Sequence, residues 1–137
     1  MSYGVQREII QGCHKGEIRL SGSFRPNGSS APTVWYGNWI SSIAHTDTGV
    51  WTITMKEKFR GWQGAFAMLV SARFATLSLS IVQFGAVDLD AGTIVIDVAT
   101  EGAGTLAAAD IASNAANWID IELVLKYDKS QDGSGLV

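Results

Sequence analysis

The strongest constraint on the fold is an alternation of apolar and polar residues with a period of two. Such a period is typical of strands that are buried on one face. It runs through 17–24, 50–55 and 118–126, and 93–98 is an almost continuous β-branched and apolar segment. In the last alternating run, four aliphatic side chains share one face and are predicted to form core: Ile119, Ile121, Leu123 and Leu125.

Short turns separate these runs. Asp47-Thr48-Gly49 and Asp90-Ala91-Gly92 are typical of hairpin turns, and 26–30 is a loop rich in Gly, Asn and Ser. Less regular strands are expected at 34–43 and 66–74. A phase slip near Ile81-Val82, after an alternating run that begins at Thr76, indicates a β-bulge.

Seven or eight strands at this spacing predict an all-β fold, an antiparallel β-sandwich of jelly-roll type. The Ala-rich segment 106–116 allows at most one short helix. A length of 137 residues fits one domain. We expect an N-terminal arm at 1–15, the β domain at 16–128 and a flexible polar tail at 129–137.

Charge and composition restrict the classes of partner. Charged residues make up 17% of the chain, below a typical share of about 25%, which indicates a surface covered by another subunit. The net charge of −3 disfavours nucleic acid as a partner. Residues 1–73 hold eight Lys/Arg and four Asp/Glu, whereas residues 74–137 hold two Lys/Arg and nine Asp/Glu. Copies could attract one another if the halves form different faces, although plain solvation of charges on scattered loops is the favoured interpretation.

Nothing in the sequence predicts secretion, a disulfide or a membrane span. No secretory signal is visible at the N-terminus, and apolar runs such as 65–70 fall far short of the roughly 18 residues that a bilayer requires. Cys13 is the only cysteine and cannot form an internal disulfide. We expect synthesis in a reducing cytoplasm and no association with a membrane.

Residues that could carry catalysis are sparse. Cys13 and His14 are adjacent, but neighbours on an extended chain point to opposite sides. His45 and Asp47 supply only two potential metal ligands and are better interpreted as surface turn residues. We therefore expect no enzymatic activity, no catalytic or metal site and no cofactor.

Two glycine-containing segments resemble ligand-binding motifs. Residues 88–92 are similar to the start of a calcium loop but lack its later Gly and Glu, so a β-turn is the better interpretation. Residues 102–107 have the outline of a dinucleotide fingerprint. The alternating strand that follows exposes one face to solvent, whereas a parallel strand of a nucleotide-binding fold is buried on both faces. We therefore favour the interpretation that these glycines belong to a flexible loop.

Aromatic residues are concentrated near predicted turns, at 35–39 and 59–64. Beside Asn, Gln and Arg they could anchor a protein partner or stack on sugar rings, although core or subunit-interface positions are favoured for the tryptophans. The candidate contact residues are Trp35, Tyr36, Trp39, Arg60 and Trp62.

Two segments carry a family resemblance. Thr48-Gly49-Val50-Trp51-Thr52-Ile53-Thr54-Met55 resembles the Gly-x-aromatic-x-Ile strand of the jelly-roll group formed by the complement globular head and tumour necrosis factor. Residues 118–125 resemble that group's last strand. The likeness spans about 16–127, although the central strands here are rich in Ala and Ser instead of aromatics.

Short stand-alone forms of this fold are similar to bacteriophage virion proteins that decorate or cement a capsid or form a fibre head. The resemblance implies a homotrimer on the virion surface with the major capsid protein, or another virion protein, as partner. It also implies an anchoring arm, for which the candidates are Tyr3, Val5, Ile9 and Ile10. The alternative function is a fibre-tip or lectin-like module that binds a cell-surface glycan through its loop aromatics.

Overall fold

The chain folds into two packed antiparallel β-sheets. A computed structural model describes residues 8–9, 17–71, 80–102 and 104–126, with backbone alone at 8–9. These residues form ten strands and no helix. The predicted all-β sandwich is confirmed, and the jelly-roll connectivity stays a prediction. The segment at 106–116 is not helical, because its first residues pair with a neighbouring strand instead.

The front sheet contains the first and the last of the described strands. Its members are β1 (Glu8–Ile9), β2 (Glu17–Phe24), β3 (Trp35–Tyr36), β6 (Gly61–Val70) and β10 (Trp118–Lys126). The order is β1-β2-β10-β6, and β3 also pairs with β2. The N-terminal segment, expected to be an arm, thus adds one short strand to the edge of this sheet.

The back sheet is built from hairpins. It contains β4 (Ile40–Asp47), β5 (Val50–Met55), β7 (Ser80–Asp88), β8 (Thr93–Gly102) and β9 (Thr105–Ala108). The order is β4-β5-β8-β7, and β9 pairs with the far end of β8. The hairpin turns predicted at Asp47-Thr48-Gly49 and Asp90-Ala91-Gly92 join β4 to β5 and β7 to β8.

The bulge in β7 lies further along the strand than the sequence predicted. Ile81 and Val82 pair in regular register with β8, and the shift falls between Phe84 and Val87. A Cβ atom on Gly85 would lie 2.7 Å from the Asp97 carboxylate. Glycine therefore allows the strand to approach β8 closely at the irregularity.

The core fills the space between the sheets. Trp51 of β5 is fully buried, and its ring lies 5.9 Å from that of Phe24 on the opposing sheet. The four aliphatic residues predicted as core in β10 are confirmed, each no more than 1% exposed: Ile119, Ile121, Leu123 and Leu125. The hydrophobic effect on this shared face holds the sheets together.

The glycines of the two motif-like segments lie in or beside the turns of β-hairpins. Gly104 is in the turn between β8 and β9, which excludes a helix N-terminus that could bind a dinucleotide. Asp88 accepts a hydrogen bond from the Ala91 N–H at 2.9 Å, and its carbonyl accepts one from the Gly92 N–H. Residues 88–92 therefore form a tight turn, as predicted, but the backbone bond from Gly92 to Asp88 spans five residues, as in an α-turn, instead of the four of a β-turn.

The strand predicted over 34–43 is broken after Tyr36. Gly37 has a φ of 131°, and the chain turns through Asn38 and Trp39 before β4 begins. A side chain at Gly37 would meet the Trp39 indole nitrogen at 3.0 Å. The turn moves the chain from the front sheet to the back sheet and carries Trp39 into the core.

Gly49→Ala should destabilise the fold more than Gly104→Ala. Both glycines have positive φ and stand directly before a strand. Alanine at either position incurs a backbone cost of about 1–2 kcal/mol. At Gly49 the new Cβ would also lie 2.5 Å from the Val98 carbonyl oxygen, whereas no atom lies within 4 Å at Gly104. Urea unfolding of both variants measures the difference, and equal losses would contradict the packing assigned to Gly49.

Candidate functional site

The predicted contact residues do not form one surface. Trp39 is only 1% exposed and its indole N–H donates to the Ser21 carbonyl at 2.8 Å. Its prediction as a contact residue is wrong, because a buried ring cannot reach a ligand. Trp35 is partly buried and packs against the core. Tyr36, with 63% of its surface exposed, is the aromatic of this segment that faces solvent.

Trp62 and Arg60 lie at the far end of the same sheet. Trp62 pairs with Leu125 and presents its ring edge to Phe84 of β7 at 5.9 Å, so it bridges the two sheets while 37% exposed. Arg60 is exposed, and its backbone N–H donates to the Lys126 carbonyl. A contact role for these two residues stays a prediction, at a place separate from Tyr36.

An aromatic stack fixes the position of Tyr36. Its ring lies 5.5 Å from that of Trp118 at an interplanar angle of 30°, and the Arg25 guanidinium lies 4.8 Å from the Trp118 ring centre. The Trp118 indole N–H donates to the Ala115 carbonyl. Stacking and a cation–π contact together restrain the three side chains.

A shallow groove of about 540 Å³ lies beside this stack on the outer face of the front sheet. Its floor is Ser21 to Ser23 of β2. One wall is formed by Tyr36 to Asn38, and the other by Asp120 to Glu122 of β10. The register of β2 with β10 places Ser23 opposite Asp120 and Ser21 opposite Glu122. This groove was not predicted from the sequence, although alternation in both strands places these polar residues outward.

An apolar stripe on β6 is the second feature of the same face. Phe66, Met68 and Val70 are 52%, 51% and 40% exposed, and they lie opposite Glu122, Asp120 and Trp118 of β10. Among the described strands, β6 pairs with β10 alone. This stripe (Phe66, Met68 and Val70) was also not predicted, although 65–70 is apolar at every position, so that a strand covered on one face alone exposes apolar side chains on the other.

His45 is paired with Asp110, not with its sequence neighbour Asp47. Its Nε2 lies 2.7 Å from the Asp110 carboxylate, which also accepts the Gly49 N–H at 2.7 Å. The imidazole packs edge-on against Trp51 and is mostly buried, so its interpretation as a surface turn residue is wrong. The carboxylate fastens the β4–β5 turn to the segment that follows β9.

Opposing effects set the pKa of Asp110. Burial acts to raise it, while the hydrogen bond from Gly49, the hydrogen bond from His45 and the charge of His45 lower it. The balance holds the pKa of this carboxyl below its usual range. The bonds of the carboxylate to His45 and to the Gly49 N–H give it a structural role at the turn.

Part of the predicted arm lies outside the described residues. Ile9 belongs to β1, where it pairs with Ile18. Tyr3, Val5, Ile10 and the Cys13-His14 pair fall in segments that the structure does not describe. The anchoring role of Tyr3, Val5 and Ile10 stays a prediction, as does the interpretation that Cys13 is not activated by His14.

Neither a metal cluster nor a membrane helix is found in the described ranges. No group of three or more His, Cys, Asp or Glu in 17–71, 80–102 and 104–126 could hold a metal ion. No helix in the same part of the chain is long and apolar enough to cross a membrane.

Comparison with known proteins adds no relative. No protein-family profile matches the chain, and neither a curated protein nor a solved structure is significantly similar to it.

The stability that Asp110 confers should disappear in acid. Because its pKa is lowered on folding from the usual 3.8, the ionised group stabilises the fold above that pH. This contribution is lost as the pH falls through the lowered pKa. The free energy of unfolding of the wild type should therefore exceed that of Asp110→Asn at pH 6, and the two should converge towards pH 2. Urea titrations at several pH values measure this.

Asp47→Asn is the matched control for that experiment. It removes a carboxylate from the same hairpin, where Asp47 accepts the Thr48 N–H, and leaves the bonds of Asp110 in place. Below pH 3.8 the free energy of unfolding of Asp47→Asn should fall relative to that of Asp110→Asn, as the free energy of unfolding of the wild type does. A constant difference between wild type and Asp110→Asn from pH 6 to 2 would contradict the assignment.

Proposed function

We propose that this protein is a non-enzymatic structural subunit of a virus particle, a homotrimer that decorates or cements a phage head. The apolar stripe on β6 is the observation that carries the assembly part of the proposal. The trimeric state and the particle come from the resemblance of 48–55 and 118–125 to the complement-head and tumour-necrosis-factor group. In this proposal, the major capsid protein or another virion protein is the partner.

The stripe supports assembly because solvent-exposed apolar side chains in a row are unfavourable on a monomer. Fully burying one large apolar side chain contributes about 1.5–3 kcal/mol, and Phe66, Met68 and Val70 are each about half exposed. They also lie on a strand with one neighbour among the described strands, and such an edge is a site of pairing or aggregation unless it is covered. We propose that a second copy of the chain covers this stripe.

The charge distribution agrees with contact between copies. The exposed Lys58 and Arg60 lie in the basic half of the chain, residues 1–73, which holds eight Lys/Arg against four Asp/Glu, whereas residues 74–137 hold two against nine. Contacts between unlike surfaces close into rings when the rotation fits, which is how a cyclic trimer forms. Opposite charges at the rim would guide the copies into register while the stripe supplies burial.

Replacing Phe66 and Met68 together by Ser should dissociate the trimer. Leu106→Ser is the control, since Leu106 is 53% exposed on the other sheet, away from the stripe. Light scattering coupled to gel filtration at micromolar concentration should show a trimer for wild type and Leu106→Ser and a monomer for the double variant. Circular dichroism checks that the double variant is folded. A monomeric wild type, or a double variant that remains trimeric, would refute this contact.

Removal of residues 1–12 should abolish attachment to the capsid without dissociating the trimer. The expectation follows from the predicted arm and from the peripheral place of β1 at the edge of the front sheet. Co-sedimentation with capsids assembled from the major capsid protein of the same genome measures attachment. Attachment of the truncated chain would exclude an anchoring arm. If the full-length chain failed to co-sediment, the decoration function would be wrong.

A further inference from the structure

We propose that the groove beside Tyr36 binds a neutral oligosaccharide, an activity additional to the assembly of the subunit. The groove lies over β2, β3 and β10, whereas the assembly stripe lies on β6. Neighbouring strands are about 4.8 Å apart, so the floor of the groove is roughly 10 Å from β6. A contact between copies that is centred on β6 therefore leaves room for a ligand over β2.

The shape of the groove suits a small, flat ligand. Its floor is low because Ser21 and Ser23 are the outward residues of β2 there and have short side chains. The walls stand higher, with Tyr36 and Asn38 on one side and the two carboxylates of β10 on the other. A volume of about 540 Å³ falls within the range of ordinary ligand sites.

The aromatic wall supplies the contact that a sugar ring requires. A pyranose carries several axial C–H groups on one face, and this weakly positive apolar face packs on the negative face of an aromatic ring. Tyr36 keeps 63% of its surface exposed even though it stacks on Trp118. Exposure of this aromatic ring to water is unfavourable, and the ring adds nothing to the core, although a second ring holds it in position. Such an arrangement fits a role in binding.

The polar wall supplies acceptors for sugar hydroxyls. Asp120 and Glu122 point outward at successive outward positions of β10, and a carboxylate accepts hydrogen bonds at both oxygens. Ser21 donates to Glu122 over a long 3.4 Å, a weak bond that a ligand hydroxyl could replace. Asn38 adds an amide that both donates and accepts. An uncharged polyol could donate hydrogen bonds from its hydroxyl groups to these carboxylates.

The charge of the groove selects against acidic glycans. Asp120 and Glu122 line it, while Arg19 and Arg25 stand two residues beyond either end of the Ser21–Ser23 floor. Arg25 is engaged with the Trp118 ring. A sialic acid or sulfate placed over the floor would meet the two carboxylates at close range and be repelled. The ligand class is therefore neutral.

The floor is held rigid from the core side. Trp39 donates to the Ser21 carbonyl, and a Cβ on Gly22 would lie 2.9 Å from the Trp39 ring. The residue that the sequence marked as a ligand contact thus supports the groove from beneath. A site that is already formed before binding loses less conformational entropy when a ligand enters.

A glycan array carrying neutral, sialylated and sulfated oligosaccharides, probed with the full chain, tests the proposal. We expect binding to neutral glycans. Affinity for the best neutral ligand, measured by ligand-observed NMR, should fall about tenfold in Tyr36→Ala and remain close to wild type in Tyr36→Phe, which keeps the ring. Asp120→Asn combined with Glu122→Gln should weaken it by a similar factor. The control Asp90→Asn removes a negative charge from an exposed turn of the other sheet and should have no effect.

Several outcomes would overturn the proposal. These are no binding to any glycan, binding to acidic glycans alone, and neutral binding that survives both Tyr36→Ala and the double amide variant. Melting temperature and light scattering of each variant show whether fold and assembly are intact. Loss of saccharide binding in a variant that remains trimeric separates this site from the assembly contact, so either proposal can fail alone.

Discussion

The pairing of β2 with β10 is the interaction on which the rest of the structure depends. It joins residues about 100 positions apart through eight consecutive cross-strand pairs, from Phe24 opposite Ile119 to Glu17 opposite Lys126. The register puts the aliphatic faces of both strands on the core side, where they meet the back sheet. A shift of one residue would turn every one of those side chains to solvent.

Both candidate surfaces follow from that register. Because aliphatic residues of β2 and β10 point inward, their polar residues must share the outer face, and the short serines of β2 leave a groove beside the carboxylates of β10. β6 attaches to the other edge of β10 and continues the same face with Phe66, Met68 and Val70. The outer face therefore changes from polar to apolar across three strands, which is the basis for assigning ligand binding and assembly to different parts of it.

The opposite sheet combines hairpins with the pairing of β5 with β8, and a fixed turn closes one end of it. Gly49 fits only because it has no side chain, and its N–H, together with His45, satisfies the Asp110 carboxylate. This arrangement anchors the segment that follows β9 across the end of the sandwich. Without these partners, Asp110 would be an unpaired, half-buried charge, which would destabilise the fold. The cluster therefore gives His45 and Asp110 a structural role that does not depend on catalysis.

The sequence by itself determined the strands β2, β5, β8 and β10, the core face of β10 and the hairpin turns, because alternation and turn chemistry are local. It could not determine which distant strands pair, nor what covers each face. Ala-rich 106–116 was open to a helix, and pairing of β9 with β8 overrode that propensity. Trp39 and Tyr36 looked equivalent beside a turn, yet the turn at Gly37 buries one and exposes the other. Only the tertiary structure brought Tyr36, Ser21 and Glu122 together, since the groove is made by contacts between strands far apart in the chain.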